Sequence, residues 1–496
     1  MSHQALPAHA VPRALGHVMG LVTAADFVSS LSVIMASAEI RGGLDATPTD
    51  FIWLLTAYAA TGMLTLPLIE RLARRWHYRD LMAAGLALFV TGALWAALSE
   101  GLASVLAARV LQGIGGGGLF TMSRVYLQLA VPAQARPTQL KGYMVGLLAA
   151  TAPMSWLTTV LVQAWGWQSV FVLQAGFAAV VLLILLGTVK SERHTPRSLG
   201  ELDWFMVLAF GLGGLLLLHG MEDLELMRLD ARQLAHFGAA AACLAFAGWR
   251  LHGHHDPLLD TRVINGRRYL VGLGFYGLYY LINGATSFIY PRLFEAGAGL
   301  PLETTGLLLS FAGGTTVLLM PLYFRLAPHL GDRRRVIAAG FAVAALALLW
   351  MRFTLTSDTP WLQLLGPMAL KGLFPVLGVI QIAGLTYRDV PHEDFAHAYA
   401  LKNIVRQLAN TFAAGMASQS WQQFGAQYRT VLVERVNPLD PRFLASPFSH
   451  DLAGLAQLSA LIDRQVTVLV GNSLLGMLAL LCLAGIPLVL MQKRLQ

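Results

Sequence analysis

Residues 168–189 read QSVFVLQAGFAAVVLLILLGTV, and the next four are Lys190, Ser191, Glu192 and Arg193. A helix rises 1.5 Å per residue, so a run of this length covers the ~30 Å of hydrocarbon in a bilayer. Nothing in it carries a charge, and the charged tetrapeptide that follows marks a membrane edge. The stretch reads as a transmembrane helix.

The whole chain has the same character. Of its 496 residues, 56% are hydrophobic and only 12% are charged, whereas soluble domains carry about 25% charged residues. The deficit is what lipid imposes, because a charge at a helix centre costs about 2.5–3.5 kcal/mol. Cys243 and Cys482 both lie in apolar runs, which excludes a disulfide framework and a cysteine zinc site. The net charge of +8 sits in short loops without interleaved aromatics, so nucleic acid is not the partner. The sequence has no Walker lysine motif to draw energy from ATP. It shows no cofactor motif, no metal set and no nucleophile–base pair within the apolar runs, which argues against an enzyme.

Fourteen runs match the spanning template: 17–38, 51–69, 81–98, 102–124, 142–163, 168–189 and 204–221, then 235–252, 269–290, 305–325, 335–355, 361–386, 403–424 and 466–491. The predicted fold is therefore an all-α membrane protein with fourteen transmembrane helices. A tail, 1–16, precedes a six-helix bundle over 17–189; an extra helix pair occupies 204–252; a second six-helix bundle covers 269–491. The one long connection, 425–465, lies outside. Its Leu452, Leu455, Leu458 and Leu461 recur every third residue, the pattern of a short amphipathic helix resting on the membrane or on a partner. An even number of spans puts both termini on one side. With that side cytoplasmic, Lys and Arg favour inner over outer segments by about three to one, as the positive-inside rule requires.

Pro67-Leu68-x-x-Arg71-Leu72-Ala73 closes the second run and Pro321-Leu322-x-x-Arg325-Leu326-Ala327 closes the tenth, half the chain later. Such parallel repeats characterise two-halved transporters that rock about a midplane site. Arg109-x-x-Gln112-Gly113-x-Gly115 in the fourth run resembles the R-x-x-Q-G string of the major facilitator superfamily. Arg406-Gln407-Leu408-Ala409 and Val436-Asn437-Pro438-x-x-Pro441 resemble the fourteen-span drug:proton antiporters of the EmrB/QacA type within it. That resemblance implies the major facilitator fold with its extra pair, a bacterial inner membrane, and proton-coupled export of amphipathic small molecules, drugs or a metabolite such as a siderophore. It also implies a periplasmic adaptor and an outer-membrane channel as partners. The sequence departs from the pattern at Ser29, where the family carries an Asp, at Glu70 for a Gly, and at Ser155-Trp156 in the fifth run. Import or uniport without protons, and a non-transporting scaffold or sensor, are the other readings.

Ionisable groups inside a membrane mark function by default. Asp26 is the one carboxylate deep in the N-terminal half, and Arg109 lies about 9 Å away in depth. With Gln112, which shares a helix face with Arg109, they form a proton-coupling set or else a fixed pair locking two helices. Lys371 and Arg406 give the C-terminal half a positive interior that suits an anionic group, although Arg406, four residues into its run, is also placed to reach inner headgroups. Tyr276, Tyr279, Tyr280 and Asn283 make an aromatic stripe suited to a flat amphipathic ligand; a lipid-interface belt is the other reading, although they lie mid-span. Gly113 and Gly117 fit tight helix packing far better than a dinucleotide loop, and Pro153 marks a bend. His219 is expected to be a packing group. His252, His254, His255 and Asp256 read as a solvated loop.

Overall fold

The structure is a computed structural model that describes residues 12–190, 202–222, 230–253, 257–259, 266–387, 389–391, 394–437, 439–449 and 451–492. His254, His255 and Asp256 lie outside these residues, as does most of the 1–16 tail. Every apolar run is helical, and no strand occurs among the described residues.

The first bundle comprises α1 (Leu15–Met35), α2 (Asp50–Arg75), α3 (Tyr78–Ala97), α4 (Leu102–Ala130), α5 (Arg136–Trp165) and α6 (Gln168–Thr188). The extra pair is α7 (Trp204–Met221) and α8 (Ala231–His252). The second bundle runs α9 (Arg267–Arg292), α10 (Leu302–Leu326), α11 (Arg333–Thr354), α12 (Trp361–Thr386), α13 (Phe395–Glu434) and α14 (Leu452–Met491). Twelve of these are long and apolar enough to cross a membrane. The two that fall short, α9 and α13, are the ones whose tyrosines, Lys402, Asn403, Arg406 and Gln407 are buried inside the bundle. Their lower hydropathy comes from the inward face and is a mark of the interior they build.

The polarity is inverted relative to a water-soluble protein. Leu318 is 80% exposed and Phe353 78%, while Arg109, Gln112, Gln174 and Asn403 are fully buried. Only hydrocarbon makes that distribution favourable.

The halves repeat one another in their packing. In the first bundle α1 packs on α5, α2 on α4, α3 on α4 and α3 on α6; in the second, α9 packs on α13, α10 on α12, α11 on α12 and α11 on α14. The duplicated Pro-Leu-x-x-Arg-Leu-Ala strings close α2 and α10, yet Arg71 is buried and Arg325 exposed. The helix pair α7–α8 is held together where Asp203 accepts from Arg250 at 2.7 Å, and α7 packs against α2 of one half and α13 of the other.

Two corrections concern α13 and α14. Each is 40 residues long, about 60 Å at the helical rise and twice the hydrocarbon thickness. The expected loop over 425–465 is thus mostly helix: α13 continues to Glu434 and α14 starts at Leu452. The projecting turns are braced by Arg429 donating to Asp463 at 2.8 Å and by a 2.8 Å bond between Tyr428 and Ser473. The Leu452–Leu461 repeat lies in the first turns of α14, with Leu452, Leu455 and Leu461 exposed. At its other end α13 begins at Phe395, eight residues before the expected start. Arg406 therefore lies three turns deep rather than one, and Lys402, counted in a loop from the sequence, is buried within the helix.

Gly113 and Gly117 set the distance between α4 and α2. A Cβ at Gly117 would sit 2.1 Å from the Gly62 Cα, and one at Gly113 would sit 2.0 Å from the Thr61 hydroxyl. Pro153 caps the second piece of α5, Met154–Trp165, after the first ends at Thr151. We expect Gly117→Val to lower the melting temperature of the detergent-solubilised protein by about 5 °C or more, through overpacking against backbone that cannot yield. Gly176→Val, with no atom near its missing Cβ, should leave it unchanged; equal effects would contradict the packing role.

Candidate functional site

The centre of the molecule is an ion pair between the halves. Asp26 of α1 is 2% exposed. Its Oδ2 accepts from Nη2 of Arg406 on α13 at 2.5 Å, and its Oδ1 accepts from the Tyr58 hydroxyl of α2 at 2.7 Å. Arg406 also donates through Nε to Asn403 at 2.8 Å. Asn403 in turn donates to the Gly117 carbonyl at 3.2 Å and to Thr121 at 3.1 Å, both on α4. The Arg406 guanidinium lies 4.8 Å from the Phe27 ring centre and 5.3 Å from that of Phe120, so the aromatic wall shields the pair while cation–π attraction steadies it.

Arg109 is not the partner of Asp26. Its Nη1 donates to Ser29 at 2.7 Å and to Gln112 at 3.0 Å, and its Nε donates to the Leu54 carbonyl at 3.2 Å. Tyr58 stands between the two charges, its hydroxyl on Asp26 and its ring 4.2 Å from the Arg109 guanidinium. From Gln112 the network continues to Gln174 at 3.0 Å and from Gln174 to Ser32 at 2.8 Å. Arg109 and Gln112 are thereby bonded within one half, and Arg109 ties α4 to α1 and α2.

Beside the ion pair lies a cavity of about 270 Å³ between the halves. Tyr276, Tyr280, Asn283 and Lys371 line it, as the sequence suggested; Arg406 does not. The tyrosines form one aromatic surface, with ring centres 4.8 Å apart for Tyr276 and Tyr280 and 5.1 Å for Tyr279 and Tyr280. Lys371 reaches over the Tyr290 ring at 5.1 Å. The residue that sequence reasoning missed is Lys402. It lines the cavity with its ammonium 4.2 Å from the ring of Tyr276, 4.9 Å from Tyr399 and 5.0 Å from Tyr387. Its i, i+4 spacing from Arg406 was the available signal, since both then share one helix face.

Contacts between the halves flank the cavity towards both ends. At the arginine-rich end Glu70 of α2 pairs with His397 of α13 at 2.5 Å, and Arg124 of α4 donates to the Tyr399 hydroxyl at 2.9 Å. At the opposite end Glu39, in the short helix Ser37–Gly43 after α1, lies near Glu295, in the turn after α9. Burial and the Glu39 charge together push the Glu295 carboxyl up to about 8. His219 packs between Trp53 and His236, with ring centres 4.5 and 5.2 Å away.

The chain is similar in sequence to the multidrug export protein EmrB of Escherichia coli (strain K12), at 24% identity over 90% of this chain and 88% of that one. It is similar to the fatty acid resistance protein FarB of Neisseria gonorrhoeae at 22% identity, over 92% and 89% of the two chains. In fold it matches a bacterial homologue of the human drug peptide transporters PepT1 and PepT2, with a TM-score of 0.58 at 14% identity over 96% of each chain. The model of the Major Facilitator Superfamily matches residues 4–414. With that match over an all-helical, two-halved bundle built around a central cavity, the chain belongs to the major facilitator superfamily and is a multi-pass membrane transporter.

Proposed function

We propose that the protein is a proton-coupled exporter of amphipathic small molecules, set in a bacterial inner membrane with both termini cytoplasmic. The observation that carries this reading is the Asp26–Arg406 pair, the buried carboxylate of one half held by the guanidinium of the other beside the cavity. Arginine cannot give up its proton, so the pair has one switchable member. While Asp26 is ionised it binds Arg406 and the halves are locked. When it takes a proton the guanidinium loses its counter-charge, and stranding one member of a buried pair costs about 3–5 kcal/mol. That penalty favours the rocked arrangement, in which Arg406 finds other partners, and so links proton occupancy to which end of the cavity is open. Arg109, Gln112 and Tyr58 hold the α1–α2–α4 side of the pair in place.

Export from the membrane fits the aromatic stripe, and the names of the EmrB and FarB relatives support it. The turns of α13 and α14 that project past the bilayer offer the docking surface for a periplasmic adaptor that leads on to an outer-membrane channel.

Asp26→Asn keeps the shape of the site and removes its proton. In inverted vesicles with a panel of amphipathic dyes, proton-driven uptake should fall about 100-fold while exchange without a proton gradient persists. Retained proton-driven uptake would show that another group carries the proton, and uptake by the unaltered protein that ignores the gradient would identify a uniporter instead. Glu295 supplies a pH test at the arginine-poor end. Its raised carboxyl is neutral below about 8, so closure there meets no like-charge repulsion; above that value Glu295 is ionised and meets the Glu39 charge. Alkylation of Ser287→Cys, a cavity position, in a background lacking Cys243 and Cys482 should speed up from about pH 6.5 to about pH 9.5 beyond the rise of thiol ionisation itself. Glu295→Gln should abolish that excess; an unchanged profile would contradict the role of the glutamate pair.

A further inference from the structure

We infer that the cavity selects amphipathic anions, with the acid group seated on Lys402 inside its tyrosine cage and Lys371 forming a second cationic station towards the other end. The inference concerns the same cavity and depends on the export reading only for the direction of movement.

Lys402 is 1% exposed, and its ammonium faces three tyrosine rings. Cation–π contacts return less than the desolvation of an ammonium costs, so a charged Lys402 is held short of a counter-charge. Among the described residues none is supplied nearby: two lysines line the cavity and no carboxylate does, and Asp26 is already held by Arg406 and Tyr58. Arg124 and Arg406 add to the positive potential around Lys402. A negatively charged ligand completes this site, and a cation is repelled from it.

Helix α9 serves as a ruler between the two stations. Tyr276 touches Lys402 and Tyr290 touches Lys371, fourteen residues apart on one helix, which is about 21 Å. The surface between them is mainly aromatic and aliphatic, with Tyr280 and Phe374 along it and Asn283 as a polar point. A ligand with its acid on Lys402 therefore lays an apolar body along the tyrosine stripe, and the same acid meets Lys371 next as it advances. This arrangement sorts ligands by charge as well as by shape.

The test uses the purified full chain in detergent and a matched pair of probes: biphenyl-4-sulfonate, an anion at every pH used, and biphenyl-4-sulfonamide, which is neutral at pH 7. Calorimetry should show the sulfonate binding about tenfold or more tightly, the effect of one charge-assisted contact in a dry site. Lys402→Gln should erase that preference, with sulfonamide affinity kept as proof of folding, and Lys402→Arg should retain it. Equal binding of the two probes by the unaltered protein, or a preference that survives in Lys402→Gln, would overturn the inference. The same pair in proteoliposomes separates the two proposals. Proton-driven movement without anion preference sinks the charge selectivity alone, and anion-selective binding without proton-driven movement sinks the export reading alone.

Discussion

Hydrocarbon offers no hydrogen bond and almost no dielectric screening, so each polar group taken into the bundle must find its partner there. The interior of this protein is largely the solution to that constraint. Arg109 settles onto Ser29, Gln112, a carbonyl and a tyrosine face, all in one half, and becomes a fixed brace. Asp26 and Arg406 settle onto each other from different halves, so their bond exists only in some relative positions of the bundles. Lys402 finds aromatic rings, and no carboxylate among the described residues that line the cavity. One requirement thus yields three arrangements, a brace within one half, an ion pair between the halves and an ammonium caged by tyrosines, according to where the partner comes from.

Much of the fold was legible because lipid writes strongly in sequence. Runs such as 168–189 have no other stable home, and all fourteen runs are helices. The pairing of the charges was harder to read. Asp26 and Arg109 are close in depth, yet depth says nothing of azimuth, and Tyr58 occupies the space between them. The larger error lay at the start of α13. FAHAYALK, residues 395–402, carries a histidine and a lysine, so its hydropathy resembles a loop; its polar side chains are in fact spent on Glu70 and on the tyrosine cage. Moving that boundary by eight residues carries Arg406 from the headgroup level to the middle of the bundle. The tyrosines and Lys371 were found from the sequence because their spacing puts them on helix faces far from either membrane edge, and they line the cavity.

The departure at Glu70 acquires a physical reading as well. A glycine there could make no side-chain contact, whereas Glu70 reaches His397 of the opposite half at the arginine-rich end. The two halves are therefore joined by titratable contacts at three levels: Glu70–His397 at one end, Asp26–Arg406 at the centre, and the Glu39–Glu295 approach at the other. The central pair is the one next to the cavity wall, where Phe27 and Phe120 face the ligand space on one side and Arg406 on the other.

The account stands on Asp26 being a group that exchanges its proton while the protein remains folded. Infrared difference spectra of the purified protein, recorded between acid and alkaline conditions, measure this directly. The account predicts a carboxylic-acid C=O band that appears on acidification, is absent from Asp26→Asn, and is accompanied by a change in the guanidinium bands that is lost in Arg406→Lys. Spectra of the two proteins with no Asp26-dependent carboxyl band anywhere in the folded pH range would contradict it.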